Sequence, residues 1–190
     1  SKVAGFLQNK RKILTFNDIN ISIVVERDLN GEKVPIPLVI KKTNEKDIST
    51  ITSEIQDAKN VNLTDEDIVL NKEPKGIEKL YYSLPGFLRR LSWKILLSNP
   101  KKAYEKMGNV VVTSIGMMGQ INGWFIHTSV HPISFGVGSI IKKPIVYDNE
   151  ITIREILNMT VLIDHHVIDG APMTRFIQEL TKNIENGLGL

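Results

Sequence analysis

The chain has 190 residues, 42% hydrophobic and 24% charged, which suits one globular domain with its own core. Its net charge of +3, from 24 basic and 21 acidic residues, is too small to argue for a nucleic-acid partner, and no apolar run is long enough to span a membrane. The absence of cysteine excludes disulfides, thiolate metal sites and a cysteine nucleophile together, and the expected location is cytoplasmic.

In chain order, residues 1–18 are basic and mixed, with an apolar Val3-Ala4-Gly5-Phe6-Leu7, a turn at Asn9-Lys10-Arg11-Lys12 and a short strand at Ile13-Leu14-Thr15-Phe16. Ile19, Ile21, Ile23 and Val25 recur at a period of two, which predicts a strand with one buried face. Asp28-Leu29-Asn30-Gly31 has turn chemistry, and the run from Lys33 to Ile40 carries Pro35 and Pro37. Prolines two apart point the same way and remove two ladder donors, so that strand belongs at an edge. Asp47 predicts an N-cap, and Ile48, Ile51, Ile55 and Ala58 trace the apolar stripe of a helix ending near Asn60. Residues 61–76 read as a surface connection.

Residues 77–107 mix Leu80, Tyr81, Leu84, Phe87, Leu88, Leu91, Ile95 and Leu96 with Lys79, Arg89, Arg90, Lys94, Lys101 and Lys102, and are punctuated by Pro85 and Pro100. They predict one or two amphipathic helices with basic faces. Three surroundings suit such helices: a layer on the chain's own sheet or on another subunit, an anionic membrane, or an acidic protein. Val110 to Ile115 then predicts a strand, and Gly116, Gly119 and Gly123 a flexible loop with Met117 and Met118. Trp124-Phe125-Ile126 and Ile133 to Ile140 are further strand candidates; Lys142-Lys143-Pro144 and Asp148-Asn149 read as turns. The run from Ile151 leads into Asn158 to Ile163, which reads as a buried strand, and a helix from about Pro172 to Glu185 closes the chain, with Gly187 as the stop. The order predicts an α/β fold, a two-layer sandwich of a mixed β-sheet covered by helices on one face.

The chemistry concentrates in Asp164-His165-His166-Val167-Ile168-Asp169-Gly170, a turn between that last strand and helix. A histidine there suits either a structural hydrogen bond or general-base work, since the side chain's ordinary pKa is about 6.5. His165, His166 and Asp169, with His127 and His131, are also nitrogen and oxygen donors for a metal, but no recognised ligand spacing emerges and the expectation is no metal. Neither the Gly-x-Ser-x-Gly elbow nor a phosphate-loop signature is present.

His165-x-x-x-Asp169-Gly170, preceded by Leu162-Ile163-Asp164 and followed by Ala171, resembles the His-x-x-x-Asp-Gly motif of chloramphenicol acetyltransferase and of the catalytic domain of dihydrolipoamide acyltransferases, the cores of 2-oxo acid dehydrogenase complexes. Val111-Val112-Thr113-Ser114-Ile115-Gly116 resembles the family's strand ending in Ser or Thr before Leu/Ile-Gly, and Thr113 lies 52 residues before His165 (165 − 113 = 52). The resemblance runs from about residue 15 to the end and implies a chloramphenicol acetyltransferase-like fold. The spacing to Asp169 selects His165; His166 stands where the dehydrogenase acyltransferases commonly have Arg.

What the resemblance implies is an acyltransferase that moves an acyl group between coenzyme A and a dihydrolipoyl-type thiol or other small acceptor. His165 would be the general base, Thr113 the oxyanion donor and Asp169 the residue that holds the loop, with Ser114 and Gly170 near substrate. The implied substrates are a small-molecule acyl-CoA thioester and a lipoyl group carried by another protein. The implied assembly is a homotrimer or higher oligomer with sites between subunits. The alternative is a non-catalytic trimeric scaffold of the same core. Residues 1–190 read as one catalytic domain without the family's first helix and strand, and as a stand-alone member without lipoyl and subunit-binding domains.

Overall fold

The computed structural model describes residues 4–8, 11–29, 32–60, 83–116 and 119–188. The readings of residues 61–76 as a surface connection and of Met117 and Met118 as loop lie outside them. A small hairpin opens the chain, β1 (Phe6–Gln8) against β2 (Lys12–Leu14). The main sheet has five strands: β3 (Ile21–Leu29), β4 (Glu32–Ile40), β5 (Val110–Ser114), β6 (Ile133–Tyr147) and β7 (Glu150–Ile163), in the order β4-β3-β5-β6-β7. β3 and β6 each run parallel to the short β5 between them, and each pairs antiparallel with its outer neighbour. The helices are α1 (Ile48–Asn60), α2 (Gly86–Ser98), α3 (Pro100–Met107) and α4 (Gly170–Glu185), with a 3₁₀ turn at Thr43–Glu45.

Strand register sorts the side chains onto two faces. Ile21, Ile23 and Val25 share one face with Ile36, Leu38 and Ile40 of β4, with Val110 and Val112 of β5, and with Ile133 and Phe135 of β6. This is the covered face. Val25, Ile36 and Ile40 are buried there with Ala58 of α1, and Phe176 of α4 packs against the Ala4, Val110 and Ile133 cluster. The opposite face carries Ser22, Thr113, Ser134, Gly136, Thr160 and Leu162. The sandwich of a mixed sheet with helices on one face is the architecture the element order predicts.

The start of β5 is fixed by an asparagine pair. Asn109 is 1% exposed, and its Oδ1 accepts the Asn20 backbone N–H at 2.9 Å. The Asn20 carbonyl in turn accepts the N–H groups of Asn109 and Val110. Gly108, at φ 78°, is required just before it: a Cβ there would lie 2.4 Å from the Asn20 carbonyl oxygen. This contact clamps β5 to β3 and thereby sets the height at which Thr113 emerges.

Several local expectations are corrected. Lys142, Lys143 and Pro144 are not a turn but lie inside β6, paired with Glu155, Arg154 and Ile153. Beyond Val137 that strand pairs, among the described residues, with β7 alone, so it has a free edge of the kind on which a proline is tolerated. Asp148 and Asn149, at φ 52° and 63°, do make the expected tight turn. Asp28 and Leu29 are strand, since pairing continues to Leu29 with Glu32. Trp124-Phe125-Ile126 is not a strand, although exposure alternates through residues 124–130. Phe125 and His127 turn inward onto Gly136, but the segment crosses the sheet face instead of pairing at an edge. The last helix begins at Gly170, two residues before Pro172, because Asp169 caps it.

Candidate active site

The turn after β7 is built by two aspartates. Asp164 Oδ1 accepts both the backbone N–H of His166 and its Nδ1–H, each at 2.9 Å, while the Asp164 carbonyl accepts from Val167 and Ile168. Asp169 ends the turn as the N-cap of α4, its Oδ1 accepting the Gly170 N–H at 2.6 Å. The histidine doublet is thereby split: His166 is tied back to Asp164, and His165 is directed to Asp169, with Nε2 3.4 Å from Oδ1. That contact is long for a hydrogen bond, and Asp169's short bond is to its own helix. The His165 side chain is 69% exposed, so its ring stands open to an incoming group.

Thr113 lies elsewhere. It pairs with Gly136, which pairs with Thr160, so Thr113 and Thr160 point to the face opposite the helices. β7 continues three residues past Thr160 before the turn, and two strand spacings separate β7 from β5; the turn therefore starts roughly 14 Å from Thr113. From there the chain passes to α4, on the covered face. One chain brings His165 and Asp169 together and leaves Thr113 some distance away along the sheet, about 14 Å from the start of the turn. Ser114 points to the covered face, its Oγ accepting the Gly116 N–H at 3.2 Å. The Gly170 N–H is occupied by its bond to Asp169.

His127 is the residue whose place sequence reasoning missed. A Cβ on Gly136 would lie 2.8 Å from its Nδ1, so the imidazole covers the glycine that sits between Thr113 and Thr160. Both ring nitrogens are buried with no hydrogen-bond partner among the described residues, and burial holds the ring's pKa below its ordinary value. The available signal was Gly136 itself, an unneeded small residue in a strand unless another group lies against it.

His131 has a structural role. Its Nε2–H donates to the Met107 carbonyl at 2.9 Å, leaving Nδ1 to accept from the Ser129 hydroxyl at 2.9 Å, which ties the loop to the end of α3. Burial lowers its pKa, outweighing the Met107 bond. Below the ordinary histidine range the unfolded chain then binds protons that folded His127 and His131 refuse, so stability is complete above about pH 6.5 and falls as the pH drops through their depressed values. Thermal melts between pH 7.5 and 5.5 should show a declining Tm and a shallower decline in His131→Gln, which keeps a donor and an acceptor; an unchanged slope would remove His131 as a contributor.

Among the described residues no group of three or more His, Asp or Glu is placed to hold a metal ion. The catalytic-domain profile of the 2-oxoacid dehydrogenase acyltransferases matches residues 100–190, a span that includes both Thr113 and the His165 turn. Those residues are similar to that family's catalytic domain. The lipoamide acyltransferase component of the branched-chain alpha-keto acid dehydrogenase complex of Bacillus subtilis is 27% identical over 176 residues, 92% of this chain and 33% of its own. A probable dihydrolipoamide acetyltransferase from Listeria monocytogenes superposes with a TM-score of 0.58 at 22% identity, over 97% of this chain and 63% of its own. The Azotobacter vinelandii dihydrolipoamide acetyltransferase does so at 0.57 and 16%, over 96% and 60%. These structural matches establish the fold of an acyltransferase catalytic core. The chain spans a third or less of the length of the curated acyltransferases it matches.

Proposed function

We propose that the protein transfers an acyl group between coenzyme A and a dihydrolipoyl-type thiol, with His165 as general base and Thr113 of a neighbouring copy as oxyanion donor. One observation carries the reading. The A. vinelandii enzyme was studied for the role of a serine, a histidine and an asparagine in its catalytic mechanism, and these have the spacings of Thr113, His165 and Asp169. Threonine keeps the hydroxyl, and aspartate keeps an acceptor that caps α4 and orients the loop.

His165 Nε2 takes the proton of the attacking thiol, whose ordinary pKa of about 8.5 leaves little thiolate near neutrality. The thiolate adds to the thioester carbonyl. The Thr113 hydroxyl donates to the resulting oxyanion, a contribution worth roughly a hundredfold in rate where such donors are preorganised. Collapse breaks the original C–S bond, and the leaving thiolate regains a proton from the His165 imidazolium. Both substrates present the reacting sulfur, a thiol in one and a thioester in the other, at the end of a long arm, which fits a ring as exposed as that of His165.

The separation of Thr113 from His165 within one chain supports an oligomer whose sites lie between copies. So does the outer part of the β6–β7 hairpin, where Ile140, Val146, Ile151, Ile153 and Leu157 form an exposed apolar stripe on one face. The proposed setting is cytoplasmic, with the lipoyl group borne by another protein. Incubation of the purified chain with acetyl-CoA and dihydrolipoamide, followed by chromatography, should yield S-acetyldihydrolipoamide and free coenzyme A well above the protein-free rate. No product with acetyl-CoA or with branched-chain acyl-CoA thioesters would leave the non-catalytic scaffold reading in its place.

A further inference from the structure

Helix α2 packs little against the rest of the described residues. None of its thirteen residues is buried, and its close packing among the described residues is against α3. Of the expected layer on the chain's own sheet or on another subunit, packing of α2 on the sheet is not found among the described residues. α3 is the anchored half: Pro100 and Ala103 are buried, Tyr104 stacks on Phe16 at 3.8 Å, and its hydroxyl donates to the Asp18 carbonyl. α2 is held outward on that base as a rod about 20 Å long.

Its surface differs from that of the other helices. Phe87, Leu91 and Ile95 follow one another at four-residue spacing and are exposed, Phe87 by 69% and Ile95 by 59%. Arg90 and Lys94, also exposed, run beside this stripe at the same spacing. No acidic residue occurs between Glu78 and Glu105, whereas Arg89, Arg90, Lys94, Lys101 and Lys102 all fall there. By contrast α4, an ordinary amphipathic helix, mixes Arg175 and Lys182 with Glu179 and Glu185 on its polar side.

From these observations we propose that α2 and the start of α3 form a docking surface for an anionic phospholipid bilayer. Aromatic and aliphatic side chains interleaved with Arg and Lys, on an exposed helix lying on the surface of a domain, are what an interfacial helix requires: apolar groups enter the acyl boundary while cations meet lipid phosphates. The same charge opposes the alternative in which two copies join through α2, since three like charges would face three. The helix is too short to cross the membrane, so the domain lies on its surface.

The test is sedimentation of the whole chain with phosphatidylcholine vesicles, with and without phosphatidylglycerol, together with its oligomeric mass in the absence of lipid. The expected result is binding to the phosphatidylglycerol vesicles alone, released by salt and weakened roughly tenfold or more in Arg90→Glu/Lys94→Glu. Phe87→Ser/Ile95→Ser should also weaken it, and all these side chains are exposed, so folding should persist. Failure of the wild-type chain to bind, or undiminished binding by the charge-reversed variant, would overturn the proposal. A changed oligomeric mass in either α2 variant would also overturn it, in favour of a contact between copies. His165→Ala should bind vesicles like the wild type, which keeps this proposal separable from the catalytic one.

Discussion

Replacing His165 by alanine is expected to lower kcat for acyl transfer by a factor of about 10² to 10⁴ while leaving the folded state nearly unchanged. The kinetic half of that expectation is the usual worth of a positioned general base, about 3 to 5 kcal/mol of barrier. The structural half comes from the local geometry. The side chain is 69% exposed, and its one polar contact among the described residues is the 3.4 Å approach to Asp169. The turn is held without it, by Asp164 bonding His166 and by Asp169 capping α4. A loss in kcat with an unshifted Tm identifies the proton-transfer role; a parallel loss of both would mean that His165 holds the turn. Activity within a few-fold of wild type would remove it as the base.

Much of the fold was legible because it is local. The period of two from Ile19 to Val25 marks a strand that buries one face, the prolines at 35 and 37 mark an edge, and β4 is indeed the sheet's outer strand. Asp47 caps α1 as its side chain predicts, its Oδ1 accepting the Thr50 N–H at 2.8 Å. What failed needed knowledge of a partner. Pro144 looks like a turn residue until it is known that β6 runs past the end of β5 and has a free edge. Trp124-Phe125-Ile126 has strand composition, but a strand exists only where a neighbour accepts its ladder, and this segment crosses the sheet. The apolar content of α2 suggests a core layer; only packing reveals that the buried residues belong to α3.

The candidate site divides in the same way. The position of the His165 turn between a strand and a helix could be read, because its residues are consecutive, but the bond from Asp164 that holds His166 could not. The resemblance named Thr113 as a distant companion, but its face follows from register: pairing with Gly136 turns it away from the side on which α4 packs. His127 was visible only as a possible metal ligand. Its place over Gly136, beside the expected oxyanion donor, arises from a loop crossing that no periodicity encodes.

The central claim is that His165 of one chain works with Thr113 of another, and the mixing of two crippled variants tests it most directly. His165→Ala lacks the base and Thr113→Val lacks the hydroxyl, so each homogeneous assembly is expected to be impaired. If sites form between copies, random co-assembly of equal amounts creates some sites that take His165 from the Thr113→Val chain and Thr113 from the His165→Ala chain. Half of all chains supply each intact group, so about a quarter of the sites are whole, whatever the number of subunits in a closed ring. Activity after joint refolding should therefore rise to about a quarter of the wild-type value, well above the average of the two separate variants. Activity that stays at that average, in assemblies shown to exchange subunits, would contradict the account.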